Sequence, residues 1–304
     1  MTESVLNELK SVIESHQAGR VRLNEPLKNH TTWKVGGPAK VFYEPSSVKD
    51  LKIGLEEIRK RSLPWFALGK GSNVLISDQG IDGVVIKLGD NLTEFHQEGD
   101  LVTVEAGYSL IKLATIISKK GYSGLEFAGG IPGSVGGAVF MNAGAHQTDI
   151  SNILTKAYVL MPSGEFRWIE NEELGFGYRT SILQKNQGIC LAAQFRFKRG
   201  DSAEIRERLQ KNKAYRKDTQ PWKDPCCGSV FRNPLPLHAG KVIEDLGLKG
   251  YSVGGAKVSE KHANFIVNTG EATAKDIVTL ISEIKQLALR EYGVSMETEV
   301  EYIG

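Results

Sequence analysis

The sequence predicts an α+β protein of about two domains. Three observations carry that reading. With 304 residues and ~150 residues per domain, the chain is long enough for two cores. Its apolar runs are mostly short, rich in β-branched and aromatic residues and bounded by Gly, Pro, Asn or Asp. They mix with a few amphipathic helices and do not follow a regular βαβ alternation. Glycine makes up 33 of the 304 residues, about 11% against a usual ~7%. That excess belongs in turns or where backbone approaches a ligand closely.

Composition narrows the function classes. With 40% hydrophobic and 24% charged residues, the chain is globular and neither disordered nor a coiled coil. The balance of 38 basic and 36 acidic residues gives no overall field for nucleic acid or an anionic membrane. Of the three cysteines, Cys226 and Cys227 are adjacent, so a disulfide framework is not expected and a reducing, cytoplasmic setting is. No apolar run approaches the ~20 residues that span a bilayer. Residues 1–14 carry acids in an amphipathic pattern, which is not that of a signal peptide. Membrane insertion and an obligate protein partner are not expected.

In chain order, Val5, Leu6, Leu9, Val12 and Ile13 recur at helical spacing and predict a helix over 3–17. A second helix starts at Val48 behind the caps Ser46 and Ser47. Around it lie strands at 39–43, 65–68, 74–76, 84–88 and 101–105. Leu110, Leu113, Ala114 and Ile117 mark a third helix closed by Gly121. Strands at 154–161 and 189–197 follow, then a charged helical stretch over 201–217 and a loop with four prolines over 221–236. The tail holds a strand at 264–267, a helix at 274–292 whose Ile277, Leu280, Ile281, Ile284, Leu287 and Ala288 form one apolar face, and a strand at 299–303. The expected organisation is an N-terminal helix over 1–20, one domain over 21–199 and a second over 200–304.

Two glycine segments are candidates for binding. Gly69, Lys70, Gly71, Ser72 and Asn73 form a turn between two strands, where consecutive backbone N–H groups can face an anion and the side chains add charge and donors. The spacing is that of neither a Walker A loop nor a dinucleotide fingerprint. A plain tight hairpin is the alternative. The second segment contains Gly129, Gly130, Ile131, Pro132, Gly133, Ser134, Gly136, Gly137, Asn142, Ala143 and Gly144. Such a run is costly in regular structure, at roughly 0.5–1 kcal/mol per glycine. It suits either close approach to a flat or phosphorylated ligand or a tightly packed crossover. The basic residues of 201–217 read as a solvated face or as a means of drawing in an anionic substrate. The six histidines and three cysteines show no metal-ligand spacing.

Three further contexts are specific: Tyr178-Arg179, Gly228-Ser229 with Asn233-Pro234, and Glu299-Val300. With the two glycine segments they give five ordered motifs, and from Asn29-His-Thr-Thr-Trp33 onward the chain resembles the UDP-N-acetylenolpyruvoylglucosamine reductase family of bacterial cell-wall (peptidoglycan) precursor synthesis. It is similar to the shorter form of that family, without an inserted substrate-covering loop. The resemblance implies a vanillyl-alcohol-oxidase-type FAD-binding fold of two α+β lobes followed by a smaller α+β substrate-binding domain. It implies non-covalent FAD with its pyrophosphate near 69–73 and 129–144, and NADPH as co-substrate. The implied reaction passes hydride from the reduced flavin to the β-carbon of UDP-N-acetylglucosamine enolpyruvate, giving UDP-N-acetylmuramate. By residue match, Ser229 donates the proton to the α-carbon, and Arg179 and Glu299 polarise the carboxylate and manage the developing charge. Tyr178, Asn233 and His262 are implied as substrate contacts. Another flavin oxidoreductase of the same fold, or a nucleotide-binding module without chemistry, remains the competing reading.

Overall fold

The computed structural model describes residues 2–89, 91–186 and 188–304, and its mixed strands and helices are those of the expected α+β class. The chain forms two compact units, each built from separate stretches. The first comprises Met1–Arg22, Phe42–Lys70 and Val85–Arg216, and the second Leu23–Val41, Gly71–Val84 and Lys217–Gly304. This division differs from the sequence boundary at 199/200. The helix Ser202–Thr219 begins in the first unit because Ile205 and Leu209 are buried there and Asn212 Nδ2 donates to Glu126 O at 3.1 Å.

The first unit is organised by a five-stranded antiparallel sheet. Its order is Phe166–Glu170, Leu154–Leu160, Ile189–Arg196, Leu101–Glu105, Phe95–Glu98. One transverse row reads Ile169, Ala157, Ala193, Val104 and Phe95. The first four are buried and Phe95 packs against the same cluster. Alternation at period two puts this row on the core face, where the helix Leu110–Lys119 contributes Leu113, Ala114 and Ile117. Helix Glu3–Ser15 ends two residues before the periodicity does, because Gln17 takes a left-handed φ of 52° and Ala18 N–H returns to Ile13 O at 3.1 Å. A further four-stranded sheet runs in the order Arg20–Pro26, Pro38–Glu44, Ile81–Lys87, Trp65–Leu68.

Glu126 is a buried carboxylate in the first unit. It accepts from Gly124 N–H at 2.6 Å, Ser123 Oγ at 2.8 Å and Arg208 Nη2 at 3.0 Å. Burial alone would raise its pKa, but these bonds outweigh burial and hold it below the usual glutamate value. A depressed folded pKa stabilises the fold above the unfolded value, and the contribution is lost as pH falls through the folded one. Glu126→Gln is therefore expected to lower stability at neutral pH by about 1–3 kcal/mol. It should also flatten the acid limb of stability against pH, as denaturant titrations across the acid range would show.

The second unit packs around Trp33, which is fully buried and donates through Nε1 to Ile266 O at 2.7 Å. A three-stranded antiparallel sheet, Ser252–Val253, Ala256–Val258, Ile266–Asn268, lies in the same core as the helix Ala274–Tyr292. That helix matches its predicted bounds. Thr273 and Asp276 form a capping box at its start and Gly293 closes it at φ 65°. Asp78 adds a carboxylate to its N-terminus, accepting from Ala274 N at 2.8 Å and Lys275 N at 3.0 Å. The strand Glu301–Ile303 pairs in parallel with Val74–Ile76. It is two residues shorter than predicted, because Glu299 turns its N–H to Val230 O at 2.8 Å. Among the described residues, no helix is long and apolar enough to cross a membrane.

Candidate functional site

The 69–73 turn sits between the strands Trp65–Leu68 and Val74–Ile76, as the spacing predicts. Gly71 has φ 65°, and a Cβ there would overlap His30 O and lie 2.8 Å from Thr31 Cα. Only glycine combines that conformation with that contact. Lys87 Nζ holds Gly69 O at 2.6 Å, and Thr32 N–H holds Gly71 O at 2.9 Å. The carbonyls are thereby tied down. The N–H groups of Gly69, Lys70 and Gly71, by contrast, donate to no acceptor among the described residues. Consecutive N–H groups without acceptors, in residues half-buried at 69 and 70 and buried at 71, make an anion-binding concavity.

The second glycine segment divides in two. At its start, Gly133 has φ 139°, and the N–H groups of Gly133 and Ser134 also donate to no acceptor among the described residues. A Cβ on Gly69 would lie 2.9 Å from Ser134 Oγ, so these two residues of the first unit lie close together. The first-unit N–H groups of Gly69, Lys70, Gly133 and Ser134 fit a pyrophosphate, and the hydrogen in place of a side chain at Gly69 keeps the approach to Ser134 open. The rest of the segment serves the protein itself. Ser134 caps the helix Val135–Phe140, and the N–H groups of Val135 and Gly136 go to Tyr108 O and Ala106 O, both at 2.9 Å. That of Gly137 goes to Ser134 Oγ. This helix terminus therefore keeps no N–H for a ligand. A Cβ on Gly129 would overlap Leu209; on Gly130, Gly136 and Gly144 it would lie 2.7 Å from Arg216 Cδ, 2.7 Å from Ala106 Cβ and 2.6 Å from Asp149 Cβ. Packing accounts for glycine at these four positions. Ile131 packs on the core beside exposed Pro132. Asn142 is buried, with Nδ2 on Gly177 O and Oδ1 on Ser151 N–H, and Ala143 O accepts from Ile150 N–H. Asn142 thus steadies the loop that carries Arg179.

Arg179 takes a left-handed φ of 56° in a tight turn where Gly177 and Thr180 bridge. Its Nη2 donates to Gly144 O at 2.7 Å, and its own carbonyl accepts from Gln184 Nε2. The guanidinium lies 5.3 Å from the ring centre of Tyr178, which is exposed. A non-glycine residue in this conformation is strained.

In the second unit, Ser229 and Glu299 lie on paired segments. Phe231 bridges Thr298, Glu299 N–H meets Val230 O at 2.8 Å, and Arg232 N–H meets Glu297 O at 2.9 Å. Ser229 and Glu299 are both half-buried. Asn73, at the end of the first glycine turn, donates from Nδ2 to Glu299 O at 3.1 Å. Asn233 Oδ1 accepts from Ala239 N at the start of a short helix. His262 Nδ1 accepts from Asn264 N at 3.2 Å, which leaves its hydrogen on Nε2 in the neutral ring. Cys227 is buried, and burial first, then Cys226 and Glu299, pushes its thiol well up. A buried, protonated thiol is inert, whereas the neighbouring Ser229 is half-buried. The buried Asn264, which bonds the same segment, carries no signal in the sequence and was not among the expected site residues.

Residues 39–170 match the family described as FAD binding domain, and residues 220–303 match UDP-N-acetylenolpyruvoylglucosamine reductase, C-terminal domain. The chain is 56% identical over 299 residues to the UDP-N-acetylenolpyruvoylglucosamine reductase of Halalkalibacterium halodurans, covering 98% of this chain and 99% of that one. It is 54% identical over 303 residues to the Bacillus subtilis reductase, with 99% of each covered. The crystal structure of the reductase from Thermus caldophilus superposes with a TM-score of 0.81 at 36% identity, covering 94% of this chain and 99% of that one.

Proposed function

The chain belongs to the UDP-N-acetylenolpyruvoylglucosamine reductase family, and on that premise we propose that it reduces the enolpyruvyl group of UDP-N-acetylglucosamine enolpyruvate to the lactyl ether, giving UDP-N-acetylmuramate. The observation that carries the chemistry is the pairing of the segment that carries Ser229 with the one that carries Glu299, with Glu299 N–H on Val230 O at 2.8 Å. When bound, FAD supplies hydride, taken from NADPH, to the β-carbon of the substrate. Hydride addition places negative charge on the α-carbon and its carboxylate, which is unfavourable unless preorganised donors meet it. Ser229 Oγ–H supplies the proton that completes the new C–H bond. Arg179 grips the substrate carboxylate through two parallel hydrogen bonds. Glu299 manages the charge that develops beside Ser229.

The N–H groups of Gly69, Lys70, Gly71, Gly133 and Ser134, with the side chains of Ser72 and Asn73, would hold the FAD pyrophosphate. The residues at 129–132, 136–137 and 142–144 would shape the wall around it, and Tyr178, Asn233 and His262 would contact the substrate. The assignment of FAD to residues 21–199 and of substrate to 200–304 belongs to the same reading. A cytoplasmic location suits the three free thiols. The test is NADPH oxidation measured with and without oxygen. The reading requires turnover that depends on the enolpyruvyl sugar nucleotide, in a yellow protein that releases its flavin on acid precipitation. Oxidation that depends on oxygen alone would overturn it.

Arg179→Lys keeps the charge but not the planar two-bond grip. We expect kcat/KM for the sugar nucleotide to fall about 10²-fold or more, with the flavin spectrum unchanged. Wild-type steady-state kinetics would remove Arg179 from the mechanism.

A further inference from the structure

Ser229 follows Gly228, which has φ 85° and around whose Cβ position no atom lies within 4 Å. After Ser229 the segment is held through Val230 and Phe231. Residues 297–299 hold that pair on one side. On the other, Val230 N–H donates to Asn264 O at 2.9 Å, and the Asn264 side chain makes both bonds of a strand pairing with one residue. Its Oδ1 accepts from Phe231 N–H at 2.9 Å, and its Nδ2 donates to Phe231 O at 2.8 Å. A carboxamide presents one acceptor and one donor side by side, as a peptide group does. It thus stands in for the neighbouring strand, which begins only at Ile266.

We propose that Asn264 is a positioning residue for proton transfer, its buried amide clamping Phe231 and so fixing the segment that carries the Ser229 hydroxyl. The inference rests on the reading of Ser229 as proton donor. A shift of about 1 Å in a reacting group costs on the order of 10²-fold in rate, and the clamp prevents that shift without touching the substrate.

The experiment is a double-mutant cycle on the flavin-loaded enzyme, following the two half-reactions separately by stopped flow. Asn264→Leu keeps the shape and removes both bonds. Its expected effect is a loss of about 10²-fold in flavin reoxidation by the enolpyruvyl substrate, with the rate of reduction by NADPH and the flavin spectrum unchanged. In a Ser229→Ala background, Asn264→Leu should slow reoxidation no further, because the group it positions is already absent. Equal slowing of both half-reactions, or a full additional loss in the double variant, would overturn the inference. If Asn264→Leu does not fold, Asn264→Asp retains the acceptor for Phe231 N–H while opposing Phe231 O. It should show the same selective, non-additive loss, and its absence there would count equally against the clamp. Loss in Ser229→Ala with none in either Asn264 variant overturns the clamp alone. Wild-type reoxidation in Ser229→Ala overturns the donor reading and the clamp with it.

Discussion

Ser229→Ala is expected to leave flavin reduction by NADPH near the wild-type rate and to slow reoxidation by the enolpyruvyl substrate ~10²–10⁴-fold, the range for a positioned acid. The selectivity follows from chemistry: the first half-reaction needs no proton at the substrate's α-carbon, whereas the second cannot finish without one. Ser229→Cys restores a donor and should recover part of the rate. The buried thiol at Cys227 should not substitute for it. If Ser229 were a turn residue only, alanine would lower stability and slow both half-reactions together. Stopped-flow traces of the two halves distinguish these outcomes, and equal slowing would end the assignment.

Gly71→Val is expected to lose the flavin. A residue with a Cβ in the left-handed region costs ~1–2 kcal/mol, β-branching stiffens it further, and the overlap with His30 O forces the loop to move. Since ~1.4 kcal/mol is a factor of ten in binding, affinity for FAD should fall at least about tenfold. Flavin absorbance after gel filtration, read beside a thermal melt, measures this. Gly228→Ala is the control: its φ is 85°, but the added carbon would meet no atom within 4 Å, so flavin should be retained. Full occupancy in a folded Gly71→Val would remove the 69–73 turn from the cofactor site.

What could be read from the sequence depended on periodicity and on range. The helix Ala274–Tyr292 and the strands Trp65–Leu68, Val74–Ile76 and Leu101–Glu105 fall at their predicted bounds, because each has a strong repeat and clear breakers. The helix Val135–Phe140 escaped detection. It holds two glycines and four apolar residues, and most of it is buried, so it shows no polar face. The second glycine segment illustrates the limit of local reasoning. Composition could not separate glycines that face a ligand from those that face protein, because the latter answer to Leu209, Arg216 and Ala106, which are distant in sequence. The strand predicted at 264–267 begins at Ile266 because Asn264 is engaged with Phe231. A buried asparagine whose partner is another segment's backbone leaves no local trace. Ser229, Arg179 and Glu299 were singled out through their motifs. The Val230–Glu299 pairing that joins the segments of two of them was not.

The parallel pairing of Val74–Ile76 with Glu301–Ile303 has a consequence for synthesis on the ribosome. Roughly 225 residues separate the two strands, so at ~5–20 residues per second the earlier one waits about 10–45 s for its partner to be made. During that interval Val74–Ile76 presents an apolar, unpaired edge, the kind of surface on which nascent chains associate wrongly. The same segment leads directly out of the 69–73 turn. Productive folding of the anion-binding loop is therefore exposed to chaperone supply and to translation speed over the final third of the message, and slow codons there should lower the yield of flavin-loaded protein.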